Sequence, residues 1–348
     1  MEELWFWLVS VMVAAYVVMD GFDFGAGALH LWIAKRDSER REVLAAIGPY
    51  WDGNEVWLLA AGGSLFLAFP RVLGAGFSGF YLAMFLVIWC LIGRACGLEF
   101  RSHVVDPLWR GFWDVCFAAA STLLPILFGA ALGNVIRGVP IGPDGTFSMT
   151  LFTDFSARGD VGILDWYTVL IGMFALVALL AHGASFVAWK TGGAVHERAL
   201  SAAPRLAFAS LILWIAATLA TIRVNPEIYS ALPHRPLAWM ALAVCLGGAL
   251  AQWRGLLTRR PLMAFLGSCA FLLGILATTA ACVFPVMLRS TIDPAYSLTA
   301  LNSASSTASL STGLWWWLIG FPIALGYIAL LFRIHKGKVV AARDGEGY

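Results

Sequence analysis

Nine long apolar runs divide the chain, at about 5–34, 51–69, 74–98, 112–136, 161–189, 204–223, 236–253, 262–288 and 312–334. Each is close to, or longer than, the roughly 20 mainly apolar residues that a helix needs to cross a bilayer. The pattern predicts an all-α polytopic membrane protein, with residues 1–348 forming a single integral membrane domain of about nine transmembrane helices. Polar residues collect between the runs, so the polar residues inside them stand out. "AYVVMDGFDFGAGALHLW" (Ala15–Trp32) lies in the first run, yet it holds Asp20, Asp23 and His30. "GPYWDGNEVWLL" (Gly48–Leu59) opens the second run, "LIGRACGLEFRSH" (Leu91–His103) closes the third, and "LLAHGASF" (Leu179–Phe186) places His182 deep in the fifth.

Composition agrees with the runs. Hydrophobic residues make up 60% and charged residues 13%, where a soluble chain carries about a quarter charged residues. The net charge of +2 excludes no partner, but the placement of charge sets an orientation. With nine spans, one side holds 17 of the 23 Lys and Arg, from Lys35, Arg36, Arg40 and Arg41 through to Arg333, Lys336, Lys338 and Arg343. Positive charge marks the cytoplasmic side, so the expectation is N-terminus outside and C-terminus cytoplasmic. The first run is longer than a signal peptide and follows Glu2 and Glu3, so it reads as a retained helix. The six cysteines show no metal-binding or redox spacing, and nothing resembles a nucleotide or nucleic-acid motif, so no metal and no nucleic acid are expected.

An Asp at the middle of a span costs about 2.5–3.5 kcal/mol on insertion scales, so two of them call for a reason. On a continuous helix Asp23, Gly27 and His30 lie about 300°, 340° and 280° from Asp20, within an arc of roughly 80°. This makes one polar stripe, with Gly21 and Gly25 on another face where helices can pack closely. Such a stripe suits a proton or ion path, the lining of a cofactor pocket, or a purely structural contact with another helix. At the mouth of the second span, Asp52 and Glu55 fit a D-x-x-E capping pair. They also fit a carboxylate that collects protons at the membrane face. Trp51 and Trp57 suit the interfacial aromatic belt. Arg94, with Glu99, Arg101 and His103 after it, needs a partner, and Asp52, Glu55, Asp23 and Glu99 are the candidates. An ion pair holding helix to helix is the plainer reading, with Trp51 and Asn54 as packing residues beside it. His182 is expected to bond or handle protons, or to line a polar or quinone site. His30 and His182 could alternatively clamp a haem iron.

At these residues the chain resembles subunit II of the cytochrome bd-type quinol oxidases, including their cyanide-insensitive relatives. The resemblance rests on "MDGFDFGAG" (Met19–Gly27), "WDGNEVWL" (Trp51–Leu58), "GGSLFLAFP" (Gly62–Pro70) and "FSGFYLAM" (Phe77–Met84). It continues in "LEFRS" (Leu98–Ser102), "ALGNVIRGVP" (Ala131–Pro140) and "FPVMLRSTIDPAYSLTALNSASS" (Phe284–Ser306). The resemblance implies two four-helix bundles plus one peripheral helix, in a bacterial-type cytoplasmic (inner) membrane. It implies a partner, the haem-bearing subunit I, and sometimes a small single-span subunit. That pair is an electrogenic terminal oxidase, with quinol and oxygen as substrates. Haems b and d, or b only, sit in the partner, with none expected in this chain, although a structural quinone has precedent. By position, Asp52 matches a carboxylate at the cytoplasmic mouth of a proton path, and Asp20 and Asp23 match the first-helix carboxyls. Glu55 and His182 stand where some members have Gln. The implied function is support of subunit I and part of a proton pathway through Asp52, Asp20, Asp23, His30 and Glu55. The residues alone also admit a proton-coupled secondary transporter, or a haem- or quinone-binding anchor of another respiratory complex.

Overall fold

The computed structural model describes residues 1–339; Arg343, counted above among the cytoplasmic charges, lies outside the described residues. The first apolar run is not one helix but two, α1 (Glu2–Met19) and α2 (Gly21–Ile33), meeting at Asp20. A short polar helix, α3 (Asp37–Ile47), leads to α4 (Trp51–Ala68), α5 (Pro70–Gly79) and α6 (Tyr81–Phe100). Then follow α7 (Pro107–Arg137), α8 (Trp166–Lys190), α9 (Gly193–Val224), the short α10 (Glu227–Ala231), α11 (Pro236–Leu257), α12 (Pro261–Val283) and α13 (Thr307–Ile334). A small antiparallel pair, β1 (Val286–Leu288) and β2 (Leu298–Thr299), lies between α12 and α13.

Among the described residues eight helices are long and apolar enough to cross a membrane, with α1 and α2 counted together. The number is nine if α4 and α5, bent by 117° against each other, form one broken span. The bend shortens the third expected run, whose span begins at Tyr81 and not near residue 74. Pro70 is the cause: it has no N–H to give to α4, but it suits the first position of a new helix. Local signals set other boundaries. Asp106 and Asp165 cap α7 and α8, and Pro236 and Pro261 open α11 and α12.

The helices sort into two groups of four. The α1–α2 span, α4, α6 and α7 form the first, α8, α9, α11 and α12 the second, and α13 runs along α4 with most of its surface outward. The groups meet where α2 and α7 lie on α8 and where α1 lies on α12. Two glycines make the central contact possible. A Cβ on Gly25 would strike the carbonyl of Leu179, and one on Gly183 would strike the backbone of Gly25.

The loops gather at two ends. At one end Arg198 of α9 binds Glu39 of α3 at 2.8 Å, Arg40 binds Asp114 of α7 at 2.9 Å, and Lys190 of α8 reaches the carbonyl of His335 at 2.5 Å. Most of the basic loops converge there. At the other end the 284–306 segment folds over the helix ends. Ser305 bonds the carbonyls of Leu67 and Ala68, and Arg71 bonds that of Asn302.

Candidate functional site

The break at Asp20 creates the site. The last carbonyls of a helix have no partner within it, and a bilayer offers no water to replace one. Here the carbonyl of Met19 accepts from the Asn54 amide at 2.9 Å, and the carbonyl of Val18 accepts from His182 Nε2 at 2.9 Å. Asn54 comes from α4 and His182 from α8, so the break is held from both groups of helices.

Around it four charged side chains meet. Arg94 of α6 points one guanidinium nitrogen at Asp20 Oδ1, 2.7 Å away, and the other at Glu55 Oε1, 2.5 Å away. The same guanidinium lies over the Phe24 ring, 4.6 Å from its centroid. Asp23, one turn beyond Asp20, accepts from Asn54 at 2.8 Å. Asp20, Asp23 and Arg94 are wholly buried, the Glu55 side chain is 26% exposed, and Asp52, one turn before Glu55, is exposed. The carboxyls thus descend from an open mouth to a closed interior. Among the described residues Asp20 Oδ2, Asp23 Oδ1 and the Tyr16 hydroxyl are buried with no hydrogen-bond partner, so the site has unused polar capacity.

Several expectations change. Asp52 and Glu55 do not form a capping pair: α4 begins at Trp51 with Tyr50 as its cap residue, and Glu55 is drawn instead to Arg94. Arg94 does take Glu55, but its second partner is Asp20, not Asp23, Asp52 or Glu99; Glu99 is exposed on the last turn of α6. The stripe on the first span is divided. Gly27 is a packing residue, since a Cβ there would strike Ser121 and Phe117 of α7. His30 is wholly buried and belongs to a second cluster, where its Nε2 faces Asp114 Oδ1 at 3.4 Å. Asp114 also binds Arg101 at 2.6 Å, and Arg101 binds Asp37 at 2.7 Å, so the second cluster joins α2, α3, α6 and α7.

His182 is wholly buried and both its ring nitrogens are in use. The Val18 carbonyl can only accept, so Nε2 carries a proton, while Nδ1 meets the Ser268 hydroxyl at 2.6 Å. His30 Nδ1 is likewise held by the carbonyl of Gly27 at 2.7 Å. The two histidines serve separate clusters, and neither offers the other a shared metal. Among the described residues no group of three or more His, Cys, Asp and Glu side chains could hold a metal ion. An apolar cavity of about 580 Å³ runs beside Tyr16, Phe24 and Leu58 toward Trp214, Thr218 and Tyr229, and His182 does not line it.

Two features of the ends were not foreseen. Arg137 and Asp165 form a buried ion pair, with Asn134 accepting from Arg137 at 2.6 Å. Glu39 accepts from Arg198 and from the amides of Lys35 and Arg36, and the Arg198 contact leads in pulling its pKa down to about 2.

Known proteins place this arrangement. The model of the family described as cytochrome bd terminal oxidase subunit II matches residues 1–335. A "probable cytochrome oxidase subunit 2" of Haemophilus influenzae is 32% identical over 364 residues, covering 97% of this chain and 95% of that protein. "Cytochrome bd-I ubiquinol oxidase subunit 2" of Escherichia coli K12 is 30% identical over 365 residues, covering 97% and 94%. The structure of the bd oxidase from Geobacillus thermodenitrificans contains a chain of the same fold, with TM-score 0.74 and 16% identity over 96% of this chain and 98% of that one. From the family match over residues 1–335, and from relatives that are oxidase subunits 2 over 97% of its length, this chain belongs to the cytochrome bd terminal oxidase subunit II family.

Proposed function

We propose that this chain supports a haem-bearing subunit I and carries protons from the cytoplasm toward its oxygen site. The observation that carries the reading is the descent of carboxyls from exposed Asp52 through half-open Glu55 to closed Asp20 and Asp23, with Arg94 bridging Glu55 and Asp20. Reduction of oxygen to water consumes protons, and a bundle without an open pore must pass them between closely spaced titratable groups. Two carboxyls bond one guanidinium and a third, Asp23, lies one turn away on Asn54, so the group can take up protons as well as hold charge. Arg94 keeps its own proton. Its part is to hold Glu55 and Asp20 on adjacent nitrogens, near enough for a proton to pass when either carboxyl turns.

Other parts follow from the same reading. The basic end faces the cytoplasm, and the N-terminus lies outside, in a bacterial inner membrane. Haems on the partner, b and d or b alone, would supply the chemistry of quinol oxidation and oxygen reduction, and a small single-span subunit is compatible with the exposed helix faces. The apolar cavity beside Tyr16 is where an isoprenoid quinone tail would fit in this chain. His30 and its Asp114–Arg101 network close the basic end as a brace and lie off the Asp52–Asp20 line.

The test is Asp52→Asn in the complete oxidase. Slower quinol-driven oxygen uptake with intact haem spectra supports the reading. Unchanged turnover and unchanged proton uptake would remove Asp52 from the path.

A further inference from the structure

We infer that His182 is a positioning residue for the proton route: it holds the first span broken at Asp20, and the break aims Asp20 at Arg94. This inference rests on the proposed role of Asp20. The observations are geometric. α1 stops at Met19 and α2 starts at Gly21, so Asp20 sits at the junction. No proline lies in this stretch to force the break. A carbonyl left open in hydrocarbon is costly, so a break without proline persists only where donors from elsewhere fill it. Two donors do. Asn54 takes the Met19 carbonyl and His182 takes the Val18 carbonyl.

Asn54 also contacts Asp23 and so belongs to the cluster itself. His182 touches no carboxyl of the cluster; its partners are the Val18 carbonyl and Ser268. Its ring is also fixed in orientation. Phe265 stacks on it with centroids 5.0 Å apart, and the Ser268 hydroxyl meets Nδ1, which leaves Nε2–H to aim at Val18. α8 is itself pressed against the break, because a Cβ on Gly21 would come within 2.8 Å of Leu179. Without His182 the Val18 carbonyl loses its donor and Asn54 alone holds the break, so Asp20 is less firmly aimed at Arg94.

The experiment compares His182→Leu, His182→Gln and Ser268→Ala in the complete two-subunit oxidase, each alone and combined with Asp20→Asn. Turnover is measured per haem, with the quinol KM and the haem spectrum alongside. His182→Leu is expected to lower turnover about tenfold, the scale of a small misplacement of a reacting group, with KM and spectrum unchanged. His182→Gln, whose amide N–H can reach the same carbonyl, restores turnover, and Ser268→Ala falls between. On the Asp20→Asn background His182→Leu adds no further loss. A role in stability alone would lower the yield of complex and leave turnover per haem intact. The inference is overturned if His182→Leu matches wild type, if His182→Gln is as slow as His182→Leu, or if the His182 and Asp20 effects multiply. Should His182→Leu fail to assemble, wild-type turnover in Ser268→Ala overturns it. If Asp20→Asn alone keeps full turnover, the proton-route reading itself fails and takes this inference with it.

Discussion

Arg94 and Asp20 form an ion pair at 2.7 Å in which neither side chain is exposed. The pair joins α6 to the break in the first span, and Glu55 completes it from α4 at 2.5 Å. Removing one member of a buried pair leaves the other charge uncompensated, which costs about 3–5 kcal/mol. Arg94→Leu is therefore expected to lose most assembled oxidase. The triple variant with Asp20→Asn and Glu55→Gln should recover part of it, because neither of the carboxyls bonded to Arg94 then keeps an unpaired charge. Thermal midpoints of the purified complexes, followed by haem absorbance, decide this; no recovery in the triple variant would mean that Arg94 acts by packing.

The same arithmetic applies to Arg137 and Asp165, with an added separation of roles. Asp165 pairs with Arg137 and also caps α8, accepting from the amides of Tyr167 at 2.7 Å and Thr168 at 3.0 Å. Asp165→Asn keeps the cap and removes the charge. Asp165→Ala removes both and is expected to be less stable by a further 1 kcal/mol or so. Equal midpoints for the two variants would show that the cap carries no weight.

Gly183 is expected to tolerate no side chain. A Cβ there would meet the backbone of Gly25 and Ala26, which cannot turn aside as a side chain can. Overpacking of this kind costs about 1–3 kcal/mol. Gly183→Ala should lower the midpoint by several degrees, while Gly320→Ala on α13, with nothing within 4 Å among the described residues, should not. Similar midpoints would argue that α2 and α8 can separate freely.

Glu39 supplies a pH test outside the membrane. Its pKa lies near 2, below the ordinary 4.5, because Arg198 and two backbone amides favour the carboxylate. A depressed folded pKa adds stability in full above about 4.5, and that stability fades as the pH falls through about 2. Both side chains are partly exposed, so the gain stays below about 1 kcal/mol. The midpoint difference between wild type and Glu39→Gln should be largest above pH 4.5 and should shrink toward pH 2. A difference independent of pH would assign the effect to packing.

The spans were legible because a helix must be apolar along about 20 residues to cross a bilayer, and few other structures require that. Asp20, Asp23, Glu55 and Arg94 were legible because charge inside such a run is expensive. Their pairing was less so. Arg94 and Asp20 are 74 residues apart, and only packing decides which carboxyl a buried arginine takes. The break at Asp20 gave no local sign, since it depends on donors from α4 and α8 and not on proline. The capping pair expected at Asp52 and Glu55 failed because a tertiary ion pair outweighed a local bond. Asp114 passed unnoticed because it sits near the start of an apolar run, where a charge reads as an ordinary helix end. Its partners Arg40, Arg101 and His30 come from three other segments.

In the proposed route Asp20 relays protons consumed at the oxygen site. The most direct measurement mixes the fully reduced oxidase with oxygen and follows proton uptake with a pH indicator dye, comparing wild type with Asp20→Asn. Uptake in Asp20→Asn is expected to be slowed about a hundredfold, the scale of a lost proton-transfer group, in a complex with normal haem spectra. Proton uptake at the wild-type rate in that variant would contradict it.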